Sequence, residues 1–112
     1  MIGRQEQDCV DLLKGMGELY RRGGQPQRAL VMLLIAVRLA PADTALLRNL
    51  VMAFTDSGQA DRALAALDQL VELEGESPSL SLLRSRALWR GGRKDEARLC
   101  FKRYLTARRA TQ

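Results

Sequence analysis

The sequence predicts an all-α fold: a single-domain, right-handed solenoid of three repeats, each a pair of antiparallel helices, six helices in all. One observation carries most of this. A register of 34 residues runs three times through the chain without insertion, placing Gly24, Gly58 and Gly92 in one column and Ala29, Ala63 and Ala97 in another. Tyr20, Phe54 and Leu88 keep the same step, as do Leu33, Leu67 and Phe101. A period of that length belongs to stacked helix–turn–helix units. The second observation is the helical spacing of apolar residues between breaks. The third is the punctuation, with glycine closing helices and proline opening them. The repeats occupy about residues 10–43, 44–77 and 78–109 of one domain spanning 1–112.

In the first repeat, Leu13, Met16 and Tyr20 give an apolar stripe on a helix from about Asp8 to Arg22. Gly23 and Gly24 end it, because glycine accepts the left-handed backbone that closes a helix. Pro26 suits the first turn of the second helix, which carries Ala29, Leu30, Leu33, Leu34, Ala36 and Val37 to about Leu39. The apolar run from Ala29 to Ala40 is interrupted by Arg38 and reads as a buried helix. Pro41 blocks continuation, and Asp43 or Thr44 can cap the next helix.

The second repeat repeats the logic. Leu47, Leu50, Val51 and Phe54 line its first helix, Gly58 turns the chain, and Ala63, Leu67, Leu70 and Val71 line the second helix to about Leu73. Ser77 is placed to cap and Pro78 to open the third pair, with Leu80, Leu83, Ala87 and Leu88 before Gly91-Gly92. Ala97, Phe101, Tyr104 and Leu105 lie on the last helix. Gly17, Ala29, Ala63 and Ala97 sit where paired helices cross, and a larger side chain there would separate them.

Composition narrows the function. No apolar run reaches the length of a membrane span and no Lys/Arg-flanked apolar leader opens the chain, so a soluble cytoplasmic protein is expected. There is no histidine, and the cysteines, Cys9 and Cys100, fall in the first and last repeats. These leave a zinc site without ligands and a disulfide without proximity; both thiols read as free, small apolar fillers. No Ser or Cys has a base in a recognisable motif, and Gly91-Gly92 falls in an interhelix turn, so neither an enzyme, a cofactor nor a small-molecule substrate is expected. Charge is segregated: residues 1–83 hold eight Lys/Arg and eleven Asp/Glu, while from Arg84 onward ten Lys/Arg face only Asp95 and Glu96. A basic third of this kind fits an acidic partner or RNA, although its cations occupy several faces, as a merely solvated surface would.

The first repeat resembles the tetratricopeptide pattern closely, through Leu13, Met16, Gly17, Tyr20, Ala29, Leu33, Ala36 and Pro41. The third departs, with Ser81 and Arg84 at apolar positions of the pattern. A narrower likeness lies in the order of Leu12-Leu13-Lys14-Gly15, Arg28-Ala29, Leu47-Arg48, Leu50-Val51, Ser85-Arg86-Ala87, Ala97-Arg98 and Tyr104-Leu105. In order and spacing these resemble the YscY/SctY family of bacterial type III secretion chaperones. The resemblance implies a cytoplasmic bacterial protein that forms a heterodimer with a small secreted YscX/SctX-like component, stabilises it and engages the export gate YscV/SctV. Two other readings stay open: a chaperone of secreted translocator proteins, or a basic adaptor for RNA or another acidic partner.

In such a stack the first helices of each pair line the concave face. By register the candidate partner-binding residues are Lys14, Glu18 and Arg21 with Asp11; Ala45, Arg48, Asn49 and Met52 with Thr55; and Leu82, Arg86 and Trp89 with Ser79. This mixture of aliphatic and cationic side chains suits an amphipathic helix whose apolar side meets Met52, Leu82 and Trp89 and whose acids meet Lys14, Arg48 and Arg86. Some tetratricopeptide domains clamp a C-terminal carboxylate with Lys, Asn and Arg; Lys14 and Asn49 occupy two of those columns, but Glu18, Ser79 and Leu83 replace the others, which argues against a clamp. Leu99, Phe101 and Tyr104 have no following repeat over them, pointing to a partner or second copy at that end.

Overall fold

Helix ends fall where the glycines and prolines place them. The computed structural model describes residues 3–110 and holds six helices: α1 Arg4–Arg22, α2 Pro26–Leu39, α3 Thr44–Asp56, α4 Ala60–Glu74, α5 Pro78–Arg90 and α6 Lys94–Ala110. Among the described residues there is no strand, and the fold is the all-α solenoid expected. The starts the sequence placed for α2, α3 and α5 agree with the structure, whereas α1 begins at Arg4 rather than near Asp8.

The 34-residue register reappears in the backbone hydrogen bonds. Each first helix closes by the same Schellman turn: the N–H of Gln25 donates to the Tyr20 carbonyl, Gln59 to Phe54 and Arg93 to Leu88, at 2.8–2.9 Å. The turn needs a left-handed residue just before the donor, and Gly24, Gly58 and Gly92 supply it with φ of +77°, +79° and +82°. Starts are capped as expected at two places. Asp43 accepts from the Leu46 N–H at 3.1 Å and Ser77 from that of Leu80 at 3.3 Å.

Each helix packs on its sequence neighbour, and α1, α3 and α5 also approach in succession, whereas the backbones of α2, α4 and α6 stay farther apart. The first helices of the pairs therefore form the inner, concave layer and the second helices the outer one. Between the layers lies one apolar cluster, with Leu33, Leu46, Leu47, Leu67, Leu70 and Leu80 fully buried. The crossing residues are small for the reason expected. A Cβ at Gly17 would sit 2.7 Å from Leu33 Cδ2, and Ala29 and Ala63 are wholly buried. One further close approach escaped the sequence reading: a Cβ at Gly91 would meet that of Ala60 at 2.7 Å.

Two expectations need correction. Cys9 is exposed on α1 and Cys100 half-buried on α6, so Cys9 is no core filler; the two are unpaired. The stretch from Ala29 to Ala40 is not a buried helix on all sides. Val31, Leu34, Ile35 and Leu39 lie exposed, because no element covers the outer face of α2 among the described residues. Arg84, at an apolar position of the pattern in the third repeat, is accommodated there by charge. It replaces apolar contact with ion pairs to Asp68 at 3.3 Å and Glu76 at 3.4 Å. No described helix is long and apolar enough to cross a membrane.

Candidate functional site

The inner face is built from three columns of side chains, one residue per first helix. The first column is Lys14, Arg48 and Leu82. Lys14 Nζ donates to Asp43 Oδ2 at 2.8 Å, and the Arg48 guanidinium bonds Glu74 and, at 3.2 Å, the Ser79 hydroxyl. Both cations thus pin their helix to the start of the next pair. They are used as bolts at the joints between repeats, which leaves them less free to meet a ligand's acids than the sequence implied. Leu82 breaks the pattern, being apolar where the other two are charged.

The Lys14–Asp43 joint couples two functions in one carboxylate. Partial burial pushes the Asp43 carboxyl upward, but the hydrogen bond from Lys14, the Leu46 N–H and the Lys14 charge outweigh it and hold it below the ordinary carboxylate range. A depressed folded-state pKa means that the contribution is present above the unfolded value, about 3.9, and lost as pH falls through the folded one. The expected outcome is a melting temperature that drops below about pH 4, with a shallower drop in Asp43→Asn, measured by circular dichroism. An identical pH profile in the variant would remove Asp43 from that role.

The second column is Glu18, Met52 and Arg86. Glu18 pairs with Arg22 at 2.7 Å along α1, Met52 is half-buried and Arg86 is exposed. The third is Arg21, Thr55 and Trp89. Arg21 is half-buried, and its Nε has no hydrogen-bond partner among the described residues. Thr55 is only 7 % exposed and donates to the Val51 carbonyl at 2.8 Å, whereas Trp89 is 50 % exposed. Of the remaining candidates, Ala45 is exposed and Asn49 half-buried on α3, Asp11 accepts from Gln7 on α1, and Ser79 is exposed at the start of α5.

These candidates do not form one pocket. Leu82, Arg86, Trp89 and Thr55 come together in a cleft of about 490 Å³ that runs from the inner face over the end of the stack. Lys14, Glu18, Arg21, Ala45, Arg48, Asn49 and Met52 lie outside it. The cleft also takes in Arg90, Arg98 and Phe101, of which the sequence reading singled out only Phe101 for exposure. Arg90 donates to the Asp56 carbonyl at 3.1 Å, tying the rim of the cleft to α3. Lys94 Nζ stands 5.1 Å and Arg98 Cζ 6.0 Å from the Trp89 ring centroid, so the indole is an apolar plate flanked by cations. Such a surface offers shape, apolar area and positive charge.

Residues 49–111 match the tetratricopeptide repeat family. Among solved structures, the second TPR of Spaghetti (RPAP3) bound to the HSP90 peptide SRMEEVD superposes with a TM-score of 0.74 at 20 % identity, over 94 % of this chain and 99 % of that one. At that identity the likeness concerns the fold. No curated protein matches the chain.

Proposed function

Because the chain belongs to the tetratricopeptide repeat family, an adaptor fold for other polypeptides, we propose that it is a bacterial type III secretion chaperone that holds a small secreted YscX/SctX-like protein. It stabilises that protein in the cytoplasm as a heterodimer and brings it to the export gate YscV/SctV. The observation that carries the adaptor part is the inner face, where Met52, Leu82 and Trp89 offer apolar contact beside the cation Arg86. An amphipathic helix with acidic flanks is the ligand that such a surface recognises. The secretion part is supported by the ordered motifs from Leu12-Leu13 to Tyr104-Leu105 that resemble the YscY/SctY family.

A carboxylate clamp of the kind that grips a chain terminus is disfavoured by geometry as well as by sequence. Lys14, which would hold the carboxylate, is committed to Asp43 at 2.8 Å, and Glu18 in the adjacent column would repel it.

The test is co-purification of the tagged chain with the small secreted helical protein from cells that express both. Expected is a stoichiometric complex that melts above the free chain, since a partner that binds only the folded state stabilises it by mass action. Separate elution of the two proteins, or equal melting temperatures, would refute the proposal.

A further inference from the structure

Every inner helix after α1 fills a berth left by the hairpin before it, since α2 packs on α3 and α4 on α5. The columns identify that berth. Leu33 and Leu67 are fully buried at the two inner joints, yet Phe101 in their column is 43 % exposed. Thr55 is buried where Trp89 is half-exposed. Leu82 stands where Lys14 and Arg48 bolt the next repeat in place. Among the described residues nothing packs against these three side chains from beyond α6, and together they line the cleft at the end of the stack. Among the described residues, the cleft is a berth of the inner-joint type that no helix fills.

The residues in the cleft and beside its tryptophan differ from the inner joints in a consistent direction. Arg98 occupies the column of Leu30 and Leu64, Lys94 that of Pro26 and Ala60, and Arg86 that of Glu18 and Met52. Arg86 and Lys94 have no ion pair among the described residues, and Arg98 has only the fully exposed Asp95 at 3.3 Å. Cations thus ring Leu82, Trp89 and Phe101, at positions the inner joints fill mainly with uncharged side chains. We propose that this berth receives an amphipathic helix with acidic flanks from a partner protein, docked as a seventh helix that extends the solenoid. Charge complementarity selects the occupant.

A second copy is the other geometric candidate, and side-chain volume argues against it. It would offer α1, whose exposed Leu19 stands in the column of Ala53 and Ala87, both fully buried at the inner joints. Leu19 would thus enlarge one side of a joint whose other side already carries Trp89 for Thr55 and Phe101 for Leu67, and overfilled joints are destabilising.

Trp89 is the only tryptophan and reports occupancy directly. The probes are two synthetic helical peptides with the same leucine stripe, one flanked by glutamates and one by lysines. Expected with the full chain are a blue shift of tryptophan emission with the glutamate peptide, binding at least about tenfold weaker for the lysine peptide, and weakening of the former by salt. A double charge reversal, Lys94→Glu with Arg98→Glu, lies on exposed positions and should invert the preference. Equal affinity for the two peptides, no binding by a folded chain, or concentration-dependent self-association that buries Trp89 without peptide would each overturn the proposal. The inference rests on the adaptor reading, but the peptides carry no secretion signal, so its failure is separable from failure to capture the secreted partner.

Discussion

Truncating Leu67 to alanine is expected to lower the unfolding free energy by about 2–5 kcal/mol, the range for removing a buried leucine from a core that cannot collapse around the gap. Leu67 has no solvent exposure and sits in the middle of α4, between α3 and α5, within the single apolar cluster. Its loss weakens the joint on both sides at once. A repeat array has no distant contacts to compensate, because each hairpin is stabilised only by its neighbours. For a domain of this size, about 4 °C of melting temperature follows each kcal/mol, so a drop of about 8 °C or more is expected by calorimetry. Leu99→Ala provides the contrast: Leu99 is exposed on α6, and its truncation should cost no more than about 0.5 kcal/mol. If Leu67→Ala melted within a degree or two of the parent chain, the central joint would not be the keystone described.

The legible part of this fold is the part that recurs. Gly24, Gly58 and Gly92 signal their turns because one backbone conformation excludes other side chains, and Ala29 and Ala63 signal crossings because helices meet there. Each such constraint is local and repeats with the register, so a pattern of residues exposes it. What the sequence hid depends on distances between residues far apart in the chain. Lys14 and Arg48 look like free cations on an inner face until the stack brings Asp43 and Glu74 to them. Their pairing could be sought in the column itself, since each is a cation facing an acid near the start or end of a linker, but the pattern lapses at Leu82. The exposed face of α2 was misjudged for a related reason. Apolar composition predicts burial only where an element exists to do the burying, and among the described residues the outer layer has none over Val31, Leu34 and Ile35. The cleft combined both cases: Trp89 and Phe101 were visible as residues out of step with their columns, whereas Arg90 and Arg98 joined them only through the geometry of α5 against α6.

Replacing Trp89 by alanine should weaken capture of the co-purifying partner by more than about tenfold while leaving helicity and melting temperature nearly unchanged. The separation of these two effects is the point. Trp89 follows Leu88, which fills the column of Tyr20 and Phe54 and is buried, so the core contact of this turn is already made without the indole. Half of the Trp89 surface faces solvent, and its removal opens no sealed cavity. Its loss therefore falls in the class of surface changes worth about 0.5 kcal/mol or less to folding. For binding the balance reverses. The indole is the largest apolar plate in the cleft, and Lys94 and Arg98 stand beside it, so a partner helix would bury it together with charges that its own acids can meet. Trp89→Phe should recover most of the affinity, because a flat ring remains for packing while the indole N–H does not. Capture unchanged in Trp89→Ala would move the binding surface off this end of the stack. Loss of helicity in the same variant would instead mean that the exposed half of the ring misrepresents a residue the core requires.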